Sequence, residues 1–239
     1  MAALPLPRVE DIHPNLWRAS QWGSAGHRTL SSGHVDLDLE LPGGGWPTGS
    51  LTELMQPQPG CGELRLLRPA LERVSQRPVF VVQPPHRLQQ SALAWWGLDT
   101  TNLCLLKPGT TADALWAVEQ ILRGGTAGGL LFWSSHVRAE ALRRLHLAAQ
   151  RADTLFFLFR PMVAASATSP APLRLGLDPS EGGVNVSFIK RRGPHRDAPV
   201  FVSLSPSPIL LNRNASLDRR QSAAPPHREF LPDLAHASV

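Results

Sequence analysis

Four unbroken apolar runs punctuate the first two thirds of the chain: residues 78–83 (PVFVVQ), 102–106, 128–134 (GGLLFWS) and 154–160 (TLFFLFR). Runs of this length with no polar alternation predict strands buried on both faces of a parallel sheet. Residues 50–55, with Leu51, Thr52 and Leu54, predict a further strand ahead of them. Between the strands the spacing changes to that of helices. Leu64, Leu67, Leu71 and Val74 share one helical face, Leu115, Val118 and Leu122 another, and Val137, Ala141, Leu145 and Ala148 a third. Residues 88–96 form a shorter helix candidate. Pro69 falls inside the first helix, where a proline removes a backbone bond at a cost of about 3 kcal/mol, and it predicts a short or kinked element. Residues 29–41 place Val35, Leu37, Leu39 and Leu41 on one parity, a period of two that also admits a tight helical turn.

The last third reads differently. Leu173, Leu175 and Leu177 alternate with Arg174, Gly176 and Asp178; a turn (DPSEGG) follows; then Val184, Val186 and Phe188 alternate with polar neighbours. This predicts an antiparallel hairpin extending the sheet, with residues 200–204 as another strand. The fold class is therefore α/β, a mostly parallel sheet with helices on both faces and a C-terminal antiparallel extension. Residues 1–28 read as a Pro-rich arm, 29–204 as the domain, and 205–239 as a disordered tail dominated by Pro, Ser, Asn and Arg. No internal repeat of solenoid or propeller period occurs.

Composition changes this picture little. With 239 residues and 42% apolar side chains the chain can build one sizeable core. Of 24 basic residues all but Lys107 and Lys190 are arginines, giving a net charge of +5 that suits phosphate or carboxylate recognition. Cys61 and Cys104 have no metal-ligand spacing and fit a reducing compartment. The N-terminal residues lack the apolar region of a signal peptide, and no apolar run approaches bilayer length, so a cytoplasmic protein with no membrane contact is expected.

The chemistry concentrates in residues 41–67, LPGGGWPTGSLTELMQPQPGCGELRLL. A glycine turn, a strand and a second glycine turn lead into a helix, the layout of a phosphate-binding loop. In such a loop, backbone N–H groups converge on an anion at a helix N-terminus, and a Lys-Ser/Thr pair follows the last glycine. Here the loop residues Gly60, Cys61 and Gly62 are followed by Glu63 and Leu64, a carboxylate and an alkyl group. No cofactor is expected there. No His or Cys spacing supports a metal site, and no Gly-x-Ser-x-Gly elbow supports serine catalysis.

Residues 31–54 (SSGHVDLDLELPGGGWPTGSLTEL) and 93–110 (LAWWGLDTTNLCLLKPGT) resemble the entry and second-strand segments of RecA-type cores, and the similarity runs from residue 29 to 192. Within that superfamily the N-terminal HPNLWRASQ, the block at 41–54 and the GCGELRLLRPAL run at 60–71 resemble the ImuA family. That resemblance implies a non-catalytic accessory protein of damage-induced, error-prone translesion synthesis. Its partners would be an ImuB-like Y-family protein and a DnaE-type polymerase, with RecA and non-specific DNA as further candidates. A SulA-like inhibitor of cell division and a divergent DNA-dependent ATPase are the alternatives. A RecA-type ATPase also implies a catalytic Glu after the second strand, a metal-positioning Asp and a phosphate-sensing Gln. This chain has Pro84-Pro85-His86, Trp133 before Ser134, and Arg160 at those places. Loss of all of them with the loop Lys implies an absence of ATP turnover.

Three further groups are candidate interaction residues. Lys190, Arg191, Arg192 and Arg196 form the densest basic cluster, read either as a solvated strand terminus or as a contact for DNA phosphates or a RecA-like neighbour. Trp17, Arg18 and Trp22 in the arm either pack onto the domain or dock a partner. Phe230, Leu231 and Leu234 make an apolar island in the tail, open to the same two readings.

Overall fold

In the computed structural model, residues 28–95, 98–193 and 196–204 are described. The elements are β1 (Thr29–Leu30), α1 (Val35–Asp38), β2 (Trp46–Pro47), β3 (Ser50–Gln56), α2 (Glu63–Val74), β4 (Val79–Val82), α3 (Gln90–Trp95), β5 (Leu103–Leu106), α4 (Thr111–Gly124), β6 (Gly129–Trp133), α5 (Ala139–Ala149), β7 (Leu155–Pro161), β8 (Leu173–Ser180), β9 (Gly183–Lys190) and β10 (Val200–Ser203). β1 and β2 pair with each other, and the remaining strands form one eight-stranded sheet in the order β10-β9-β8-β3-β7-β6-β4-β5. From β8 to β5 every pairing is parallel; β8, β9 and β10 pair antiparallel. This is the α/β class the apolar runs predict. No helix among the described residues is long and apolar enough to cross a membrane.

The alternation of the pleat splits the core into two layers. Leu54, Phe157 and Phe159 join the cluster under α2, where Trp46 meets Phe157 edge-on at 5.3 Å between centroids. Leu51, Phe156 and Leu158 face the other way, against Val118, Leu122, Leu142 and Leu145 of α4 and α5. The central strand β3 is buried along its whole length. That leaves any charged residue on it without solvent.

Three expectations are corrected or sharpened. Residues 102–106 do not make a strand buried on both faces: β5 is the edge of the sheet, paired only with β4, and Cys104 and Leu105 are exposed. Pro69 does not shorten α2, which runs through it for 12 residues. Three buried leucines, Leu66, Leu67 and Leu71, contribute about 1.5–3 kcal/mol each and together outweigh the proline penalty of about 3 kcal/mol. The proline ring also packs where only glycine fits, since a Cβ on Gly33 would come within 2.3 Å of Pro69 Cβ. Finally, residues 35–38 take the helical turn rather than the period-two strand, with Leu37 buried and Val35 and Leu39 exposed.

Candidate functional site

The loop between β3 and α2 is closed by its own side chain. Gly60 and Gly62 hold φ values of 89° and 105°, the left-handed region that glycine enters without penalty, and Gly62 caps α2. The turn places Glu63 at the first helical position, 4% exposed, where a carboxylate is favoured by the helix dipole. Its two oxygens accept the Gly60 N–H at 2.9 and 3.1 Å. A backbone donor of the kind that a phosphate loop offers its ligand is thus taken by an internal carboxylate. Leu64 is partly buried and packs against the core cluster. Cys61, 6% exposed, donates to Gln56 Oε1 at 3.5 Å. Burial, together with the negative charge of Glu63, pushes its thiol up to about 12. It is held protonated and unreactive at neutral pH.

Beside the loop lies a cleft of about 440 Å³ over the C-terminal ends of the parallel strands, the place where open α/β sheets bind ligands. It is lined by the loop residues Gln56 to Pro59 and, on its other sides, by Gln83, Pro85, Trp133, His136, Phe159 and Arg160. Three of the positions read as catalytic losses therefore meet here: the segment after β4, Trp133 and Arg160. Trp133 stacks on Phe159 with centroids 4.2 Å apart. Gln83 holds the only positive φ of a non-glycine among the described residues, 51°. Strain of this kind gathers at ligand sites.

Arg160 is tied to a buried ion cluster that the sequence reading missed. Its Nη1 donates to Glu53 Oε1 at 3.1 Å, and Arg174 Nε donates to Glu53 Oε2 at 2.6 Å. All three residues are at most 6% exposed. Register explains the meeting: Glu53 on β3 lies opposite Arg174 on β8, and Arg160 is two residues beyond its β7 partner Leu158. Arg174 also donates to the carbonyls of Ala164 and Ala165 at 2.9 and 3.1 Å. Charged residues inside otherwise apolar central strands were the available signal, because such groups persist in a core only when paired.

The basic cluster is largely committed to the fold. Arg191 Nη1 donates to the carbonyl and to Oε2 of Glu40, at 2.6 and 3.1 Å, and its guanidinium lies 4.9 Å over the Phe188 ring. Arg196 pairs with the other Glu40 oxygen, and Lys190 donates to the Ser169 carbonyl at 2.9 Å. Arg192 also has a partner. The hydrogen bond from Arg191, reinforced by the charge of Arg196, holds the Glu40 carboxyl below the usual carboxylate range. Trp17, Arg18, Trp22, Phe230, Leu231 and Leu234 lie outside the described residues.

No family model matches the sequence. Over 97 residues, 40% of its length, the chain is 31% identical to Protein RecA of Clostridium botulinum strain Eklund 17B (type B), and it matches Protein RecA of strain Alaska E43 (type E3) to the same degree. The matched segment spans about a quarter of those relatives, 27% of each. The relationship is a distant RecA-like one, and the mostly parallel sheet with helices on both faces is compatible with a RecA-like core.

Proposed function

We propose that this chain is a RecA-like protein that has given up nucleotide chemistry and serves as an accessory scaffold of the ImuA type in damage-induced translesion synthesis. In this role it joins an ImuB-like Y-family protein and a DnaE-type polymerase, with RecA or DNA as further contacts. The observation that carries the reading is the Glu63 carboxylate seated on the Gly60 N–H. A triphosphate at this loop would meet a like charge where its counter-ion belongs, and the loop has no hydroxyl following to hold magnesium. The distant similarity to RecA supports a place in DNA-damage metabolism.

Co-expression of the intact chain with an ImuB-like protein and a DnaE-type polymerase tests the assignment. A complex that survives gel filtration is expected. Failure to form it, together with filamentous cells on overexpression and an unchanged damage-induced mutation frequency, would favour a SulA-like inhibitor instead.

A further inference from the structure

α4 and α5 each return from the C-terminal end of one parallel strand to the start of the next, so their last turns lie at the end of the sheet opposite the cleft. There the furrow between them holds a hollow of about 210 Å³ lined by Glu119, Arg123, Arg144, Leu147, Ala148 and Arg151. A second hollow, of about 460 Å³, is lined by Arg28, Thr48, Gly49 and the segment from Gln150 to Asp153. Arg151 is a wall of both, so the two adjoin and form one extended track past the end of α5.

Four arginines and two acids line this track, leaving an excess of two positive charges. Buried Glu119 is shared by Arg123 at 2.7 Å and Arg144 at 3.4 Å, so one carboxylate meets two guanidiniums. Asp153 lies 3.6 Å from Arg28. Arg151 is exposed and has no acid partner among the described residues. Like charges gathered in a concave surface draw an anion. Asp113 and Glu140, in the first turns of the same helices, line neither hollow.

Shape and an exposed aromatic choose among anions. A track that runs past two hollows matches a linear polyanion rather than a single phosphate. Trp116 stands seven residues before Arg123, on the same face of α4, and is 65% exposed, whereas indoles are highly buried on average. An arginine-lined groove that follows the backbone, with an aromatic on which a base stacks, is how single strands are held without sequence preference. An acidic protein segment would match the charge and offer the indole no base to stack.

We propose that the α4–α5 furrow binds a single-stranded nucleic acid, with Arg123, Arg144 and Arg151 on its phosphates and Trp116 under a base. The inference gives the DNA contact of the proposed function a surface, and it rests on that reading for the choice of DNA over RNA.

Fluorescence anisotropy of a labelled oligothymidylate titrated with the intact chain tests it. Binding should be saturable and should weaken as salt rises. Arg151→Ala should weaken it about two- to fivefold, as for one exposed ionic contact. The same change should flatten the slope of log affinity against log salt by about 0.7, the share of one single-strand phosphate. Trp116→Ala should weaken binding at least about fivefold and leave that slope unchanged, because a stacked base releases no counter-ion. Arg143→Ala removes an exposed arginine of α5 that lines neither hollow, and it should bind like the parent. Thermal melts verify the fold of all three. The inference is overturned if oligothymidylate does not bind, if Arg151→Ala and Trp116→Ala bind it like the parent, or if Arg143→Ala weakens binding as much as Arg151→Ala. Displacement of the oligonucleotide by an equal concentration of tetraglutamate would also overturn it, since the furrow would then serve an acidic protein segment. Tighter binding of oligouridylate would overturn the choice of DNA. None of these results bears on the scaffold reading, which stands or falls on the complex with the ImuB-like protein and the polymerase.

Discussion

Glu63 accepts the Gly60 N–H through both carboxylate oxygens, at 2.9 and 3.1 Å, three residues along the same loop. That one relationship explains why a turn with the glycines of a phosphate loop can keep its shape with no phosphate. The anion that a helix N-terminus favours is supplied covalently, by the first residue of the helix itself.

Removing that carboxylate gives the first prediction. Glu63→Ala leaves the Gly60 amide without its acceptor and should lower stability by about 1 kcal/mol in urea unfolding. Glu63→Gln keeps an acceptor but removes the charge that, after burial, raises the Cys61 thiol to about 12. Its Cys61 pKa should fall and remain above the ordinary 9.0, because burial persists. Thiolate absorbance followed against pH, with exposed Cys104 blocked first, reads this directly. An unchanged Cys61 titration would remove Glu63 from the account of the thiol.

A second prediction concerns the buried ions. Glu53→Gln leaves the guanidiniums of Arg160 and Arg174 buried without a counter-charge, and breaking such a pair costs about 3–5 kcal/mol. Urea unfolding should show a loss of that size. A loss under about 1 kcal/mol, the range of exposed pairs, would mean that water reaches the cluster.

The pH dependence gives a third. Because Arg191 and Arg196 lower the folded pKa of Glu40, the folded state takes up its proton at lower pH than the unfolded chain does. The contribution is therefore complete above the ordinary value of 4.5 and is lost as pH falls through the folded pKa. Glu40→Gln should melt below the parent at neutral pH and converge with it in acid. A constant gap across the whole range would show that Glu40 acts through something other than its charge.

Much of the fold was legible in the sequence because burial on both faces writes itself as continuous apolar runs. PVFVVQ, GGLLFWS and TLFFLFR all became parallel strands, and the alternation after Leu173 became the hairpin. The edge position of β5 was not legible, since which strand lacks a second neighbour is decided by sheet order and not by local composition. Nor did Pro69 end α2, because the leucines around it and the gap at Gly33 outweigh its local cost. At the candidate site the loop defect could be read from Glu63 alone, but its bond to Gly60 could not. Arg160 was noticed as the residue in a sensor position, while its partner Glu53 lies 107 positions away and is joined to it only by strand register. The basic cluster shows a related case: Arg191 and Arg196, five residues apart, converge on Glu40, an acid some 150 residues earlier.

The most direct test of the account is phosphate release from magnesium-ATP by the purified intact chain, with and without single-stranded DNA. The account predicts no release above background in either condition, and no change on Glu63→Ala. Turnover stimulated by single-stranded DNA and lost in Arg160→Ala would contradict it, because the cleft would then be a working nucleotide site with Arg160 supplying the missing charge.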